Sequence, residues 1–248
     1  METLNLLIPV NNSAESVVGN VARKKRSITP RILVARDNMK SPISEQYRTL
    51  RTNLQFASVD KDLHTMLVTS TGPSEGKSLT TGNLAVVFAQ QGKRVLLIDA
   101  DLRKPTVHYT FRLPNNYGLS NYLVDDRQLE DTVQNSGINN LDIMSCGPIP
   151  PNPSELLGSN AMQQLLKQVK SQYDLVIFDT PPVLAVTDSQ VLSNLVDGVL
   201  LVVRSKKTDR ESAKKAKELL EQARANLLGV VLNDRDVEKT HYYYYYGR

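Results

Sequence analysis

The chain has 248 residues, 40% hydrophobic and 23% charged, which suits one large α/β domain with a buried core. Its net charge of +4 comes from dispersed basic residues, so no nucleic-acid partner is expected. The lone cysteine, Cys146, excludes an intramolecular disulfide; His64, His108 and His241 lack metal-ligand spacing; and no apolar run approaches the roughly 20 residues of a membrane span. A soluble, cytoplasmic protein without a signal peptide is the expectation.

Residues 1–40 read as a flexible N-terminal arm. Leu4 to Val10 is briefly apolar, but Asn11-Asn12-Ser13 follows, and the run Arg23-Lys24-Lys25-Arg26 has no periodicity. That basic run suits a solvated segment better than a lipid-facing one. Ser41-Pro42-Ile43-Ser44-Glu45 then starts a helix, with proline early and an acid in the first turn. Its buried face is expected to carry Tyr47, Leu50, Leu54 and Phe56, while Glu45, Arg48 and Arg51, each three apart, form a slanting charged stripe.

The next stretch organises the rest. Met66-Leu67-Val68-Thr69-Ser70 is a strand that breaks into Thr71-Gly72-Pro73-Ser74-Glu75-Gly76-Lys77-Ser78, and Leu84, Val87, Phe88 and Gln91 recur at helical spacing beyond it. Strand, glycine-containing loop ending in Gly-Lys-Ser, and helix is the order a Walker A phosphate loop needs. Backbone N–H groups of such a loop, backed by the positive helix end, cradle phosphates. Thr71, Gly72, Pro73, Ser74, Glu75, Gly76, Lys77, Ser78 and Leu79 are therefore assigned to nucleotide binding, with Lys77 on the β- and γ-phosphates and Ser78 on Mg²⁺. The motif departs at its first glycine position, which holds Thr71.

Beyond the loop, strands and helices alternate, as a mostly parallel sheet flanked by helices requires. Arg94–Ile98, Leu141–Met144, Leu175–Phe178, Gly198–Val203 and Leu228–Leu232 are the expected strands. Helices are expected over about Glu155–Ser171, Asp188–Leu195 and Asp209–Ala225; residues 104–140 read only as mixed, with Gly118, Gly137 and Asn139-Asn140 as turns. Asp99, Asp101 and Asp179 each follow an apolar strand, so the topology carries them to the edge that holds the phosphate loop. An acidic cluster there suits Mg²⁺, a hard cation, together with catalysis. Lys77, Asp99, Asp101 and Asp179 are the expected catalytic residues, and Ser78, Asp99, Asp101 and Asp179 the expected metal ligands. Arg103 either contacts phosphate or pairs with an aspartate, and similarity to other proteins of this fold, whose base lies at the sheet edge, implies that Asn233 and Arg235, just past the last strand, meet the adenine.

Gly-Lys-Ser, the Leu-Leu-Ile-Asp99-Ala-Asp101-Leu-Arg103 segment and Val-Ile-Phe-Asp179-Thr-Pro-Pro together resemble the bacterial tyrosine kinases, P-loop enzymes unrelated to eukaryotic protein kinases. The resemblance spans about residues 40 to 248 and includes Pro150–Leu157 and the block Ala85–His108; Ser74 stands where a glycine is commoner. It implies a single P-loop NTPase-like kinase domain over 41–235, a protein-tyrosine kinase activity using ATP and Mg²⁺, and control of capsule or exopolysaccharide synthesis. It makes Glu45-x-x-Arg48-x-x-Arg51 an oligomerisation motif that closes a ring. It also implies a separate membrane-spanning activator that recruits the chain to the inner face of the plasma membrane, an opposing tyrosine phosphatase and other protein substrates. Two alternatives compete. Partitioning and septum-positioning ATPases carry a second lysine in the phosphate loop, at the place of Gly72 here, and a non-catalytic chain-length regulator would need no intact lysine and aspartates.

Residues 236–248 form the expected mobile C-terminal tail, with Tyr242, Tyr243, Tyr244, Tyr245 and Tyr246 as autophosphorylation sites under the same resemblance. Five adjacent tyrosines cannot all bury one face of a strand or helix. Ten to fourteen extended residues beyond Leu232 would reach roughly 33–50 Å, enough for either the chain's own site or a neighbour's.

Overall fold

The computed structural model describes residues 32–57, 62–125 and 127–235. The chain runs α1 (Val34–Asp37), α2 (Pro42–Ala57), β1 (Thr65–Ser70), α3 (Lys77–Gln90), β2 (Val95–Asp99), α4 (Val107–Phe111), α5 (Leu119–Val124), α6 (Leu129–Thr132), β3 (Val133–Ile138) and β4 (Leu141–Met144). It continues through α7 (Pro153–Leu157), α8 (Asn160–Gln172), β5 (Leu175–Asp179), α9 (Asp188–Ser193), β6 (Gly198–Arg204), α10 (Arg210–Gln222) and β7 (Leu227–Asn233). The strands form one sheet in the order β3-β4-β2-β5-β1-β6-β7, parallel throughout except for β3, which pairs antiparallel with β4. This is the expected α/β architecture, a mostly parallel sheet flanked by helices.

The apolar runs that mark the strands are buried on both faces, and their alternation divides the core in two. Met66, Val68, Val95 and Leu97 join the side packed by α1, α2 and α3; Leu67, Leu96 and Ile98 join the side packed by the later helices. α3 lies against the sheet with most of its circumference buried, which is why its sequence shows little polar face. β1 sits between β5 and β6, so the loop that follows it opens beside the ends of both neighbours.

Four features differ from expectation. The arm expected over residues 1–40 ends sooner: Leu33 and Ala35 are buried, and the Ala35 N–H donates to Asn83 Oδ1 at 2.9 Å while Gln90 donates to the Ala35 carbonyl. These bonds tie α1 to α3. The rest of the expected arm, and the tail carrying Tyr242–Tyr246, lie outside the described residues. The single helix expected over Glu155–Ser171 is two, because the chain breaks at Gly158 and restarts with the Ser159 hydroxyl accepting from the Met162 N–H. The mixed region contains three short helices and the edge strand β3. Phe56, expected in the core, is 69% exposed at the end of α2.

Candidate active site

β1 delivers the phosphate loop and α3 begins at Lys77 itself. Gly76 takes φ +88°, and a Cβ there would stand 1.8 Å from Asn233 Nδ2, so only glycine fits. Ser74 also has positive φ, at 62°, a conformation that glycine would take at less cost. The loop, Asp101 and the end of β7 line a cleft of about 600 Å³, a size suited to a small-molecule site. A groove of similar volume between α9 and α10 shares no lining residue with the phosphate loop.

Charge converges at the bottom of this cleft. Lys77 Nζ donates to Asp179 Oδ1 at 2.6 Å and to the Ser78 hydroxyl at 3.2 Å, and lies 4.0 Å from Asp101 Oδ2. Thr81 also donates to Asp179 Oδ1, at 3.2 Å. Asp179 is fully buried at the end of β5, and its second oxygen, Oδ2, has no hydrogen-bond partner. A buried carboxylate oxygen without a partner is costly, and the observation suits a site built to receive a further donor or a cation.

The two aspartates at the end of β2, Asp99 within it and Asp101 just beyond, occupy different places. Asp101 lines the cleft, and burial pushes its carboxyl above the ordinary range although Lys77 pulls the other way. Asp99 is fully buried and does not line the cleft. Its Oδ2 accepts from the Thr106 and Val107 N–H groups, each at 2.9 Å, and its Oδ1 from the Asp101 N–H at 3.3 Å. Burial, and then the Asp179 charge, push the Asp99 carboxyl up to about 7.

Of the four residues expected to hold the metal, Asp99 stands apart, because its carboxylate is taken up by backbone donors and does not line the cleft. Among the described residues no group of three or more His, Cys, Asp or Glu side chains is arranged to hold a metal ion. Ser78, Asp101 and the unpartnered Asp179 oxygen remain as hard oxygen donors. Such a set fits Mg²⁺ only when phosphate oxygens complete the shell, as is usual for this ion.

Other expected residues fall as follows. Pro73 to Leu79 and Asn233 line the cleft, whereas Thr71 and Gly72 do not. Asn233 donates from Nδ2 to the Glu75 carbonyl at 2.8 Å, and its buried Oδ1 has no partner. Arg235 is exposed and outside the cleft lining; Asp234 takes that place. Arg103 resolves to the second of its two alternatives. It grips the fully buried Asp188 through Nε and Nη2, both at 2.9 Å, because a buried carboxylate needs a countercharge. Lys104, Thr106, Pro182 and Arg204 also line the cleft and were not expected. Only their closeness to the acidic strand ends or to β6 hinted at them.

On α2, Arg48 pairs with Glu45 within the helix and donates to the Met39 carbonyl at 2.8 Å. Arg51 reaches across to the Val87 carbonyl on α3 at 2.9 Å.

Sheet order, loop and helix start, and the lysine held between carboxylates together define a P-loop nucleotide-binding protein. Residues 67–227 match the AAA domain family. Tyrosine-protein kinase YwqD of Bacillus subtilis is 53% identical over 226 residues, covering 91% of this chain and 95% of that one. The crystal structure of the chimerical protein CapA2B2 superposes with a TM-score of 0.80 at 45% identity, over 83% of this chain and 90% of its own. The septum site-determining protein MinD of Pyrococcus horikoshii, solved with Mg-ADP, gives a TM-score of 0.60 at 22% identity over 71% and 74%, a likeness of fold alone. This chain belongs to the bacterial tyrosine-protein kinase family.

Proposed function

We propose that this chain is a kinase that transfers the γ-phosphoryl group of ATP to tyrosine hydroxyls, among them its own Tyr242–Tyr246 on a neighbouring subunit, and thereby regulates capsule or exopolysaccharide synthesis. The observation that carries the reading is Lys77, held at the mouth of α3 between Asp179 and Asp101. On nucleotide binding Lys77 turns from Asp179 to the β- and γ-phosphates, where it stabilises charge spread over the transferring group. Ser78, Asp101 and Asp179 would hold Mg²⁺, which supplies charge neutralisation at the same phosphates. A phenol of pKa about 10 is protonated at neutral pH, so its attack needs a proton acceptor. The Asp99–Asp101 pair divides the two tasks, one carboxylate holding Mg²⁺ and the other taking the proton; Asp101 lines the cleft and its N–H donates to Asp99. The unpartnered Asn233 oxygen suits the exocyclic amine of adenine.

Assembly follows the same reading. Arg48 and Arg51 on one subunit meet Glu45 or another acid of the next, and a heterologous contact of this kind closes a ring. The activator, the phosphatase, further protein substrates and recruitment to the membrane are inferred from the family likeness. No described helix is long and apolar enough to cross a membrane. A Lys77→Met chain mixed with an active chain truncated after His241 tests transfer between subunits. Phosphate on the inactive chain's tail is expected; an unlabelled tail, with both chains folded and assembled, would contradict it.

A further inference from the structure

Glu75 places a carboxylate inside a loop that binds polyanions, and it is only 3% exposed. Its neighbours account for it. Glu75 Oε2 accepts the Gly72 N–H at 3.0 Å across the loop, and Oε1 accepts the Thr208 hydroxyl at 2.5 Å from the segment joining β6 to α10. Thr208 Oγ1 accepts in turn from the Arg204 N–H at 2.9 Å, so its one proton is committed to Glu75. Two more side chains of the same segment meet the loop. Lys207 Nζ donates to the Pro73 carbonyl at 2.5 Å, and Arg204 Nη1 to the Ser74 carbonyl at 3.2 Å, while Asp234 fixes the Arg204 guanidinium through two bonds to Oδ2.

All of these contacts fall on residues 72–75, just before the helix whose N–H groups and Lys77 face the cleft. Ser74 lies among them at φ 62°, a conformation that an L residue holds only when its surroundings impose it. A loop that must present several backbone donors at once binds more tightly when its shape is set before the ligand arrives.

We infer that the Arg204–Thr208 segment is a strut that holds the phosphate loop in its binding shape, and that Thr208, acting through Glu75, is a positioning residue for the nucleotide. Its carboxylate partner is kept from opposing the ligand because both oxygens are already engaged, Oε2 by the Gly72 N–H and Oε1 by the Thr208 hydroxyl. The inference rests on nucleotide binding at this loop and not on which acceptor receives the phosphoryl group.

Binding is therefore measured directly, by fluorescence titration of the full chain with a labelled ADP in the presence of Mg²⁺. Thr208→Val keeps the shape of the side chain and removes its proton. It is expected to weaken binding about tenfold, the scale of one lost hydrogen bond to a charged group. Thr208→Ser restores the donor and should bind within about twofold of the wild type. Glu75→Ala combined with Thr208→Val should be no weaker than the poorer single variant, because both remove one linkage. Thermal midpoints of each chain separate positioning from folding: a lowered midpoint in Thr208→Val with unchanged affinity makes the contact merely structural and overturns the inference. Additive losses in the double variant overturn it too. If the wild-type chain itself fails to bind, the failure lies with the reading of the loop as a nucleotide site.

Discussion

The two edges of the sheet treat their carboxylates in opposite ways. At the amino edge Asp197 is satisfied on every side: Oδ2 accepts from the Thr65 N–H and hydroxyl, both at 2.8 Å, and Oδ1 from Lys170 at 2.9 Å. Burial works against its charge, but the bonds from Lys170 and Thr65 outweigh it and hold the carboxyl below its ordinary range. At the carboxyl edge Asp99 and Asp101 are pushed upward, and Asp179 and Asn233 each leave a buried oxygen unpartnered. The first arrangement stabilises a fold without a ligand. The second leaves hydrogen-bonding capacity for something else to complete, at the same edge that the phosphate-loop motif marks.

Substitutions at the two edges should separate accordingly. Asp101→Asn, in the cleft beside Lys77, should lower phosphoryl transfer by at least about 10²-fold in a radiolabelled ATP assay while leaving the thermal midpoint nearly unchanged. Asp197→Ala should do the reverse, costing about 2 kcal/mol in urea unfolding through its lost hydrogen bonds, with transfer intact under folding conditions. Equal effects of the two on transfer would erase the distinction.

The pH dependence sharpens it. Asp99 titrates at about 7 in the folded chain, against about 3.9 when unfolded. Between those values the unfolded chain gives up a proton that the folded chain keeps, so this contribution to stability falls as pH rises through the window. Asp197 has the opposite sign: its contribution is present above the unfolded value and is lost in acid. Thermal midpoints of Asp99→Asn should therefore fall less than those of the wild type between about pH 4 and 7, each unit of displacement corresponding to about 1.4 kcal/mol. An unaltered pH profile would show that Asp99 is ionised throughout. The smallest effect belongs to Ser74→Gly, which removes the cost of a positive φ but adds freedom to the unfolded chain. A net gain of about 0.5 kcal/mol in urea unfolding is expected.

What the sequence disclosed follows from where its signals are local. Each central strand was visible because burial on both faces leaves an unbroken apolar run, and the phosphate loop because its glycine and lysine spacing is contiguous. Asp99, Asp101 and Asp179 could be placed at one edge because Asp99 and Asp179 end strands and Asp101 lies two residues beyond one. The edge strand β3 was not visible, since Gln134-Asn135-Ser136-Gly137 is half exposed and has little to alternate. Partners distant along the chain were equally hidden. Arg103 meets Asp188 across 85 positions and Glu75 meets Thr208 across 133, and neither side chain carries a mark of the other. Nor did order in sequence separate Asp99 from Asp101; only the backbone donors of Thr106 and Val107 assign one to the interior.

The central claim is that phosphoryl transfer to tyrosine takes place at the carboxyl-edge cluster around Lys77. Intact mass analysis of the chain after incubation with MgATP, for the wild type and for Lys77→Met, tests it most directly. The account predicts a ladder of phosphate additions on the wild type, mapped by fragmentation to Tyr242–Tyr246, and none on Lys77→Met. The same ladder on the lysine variant would contradict it.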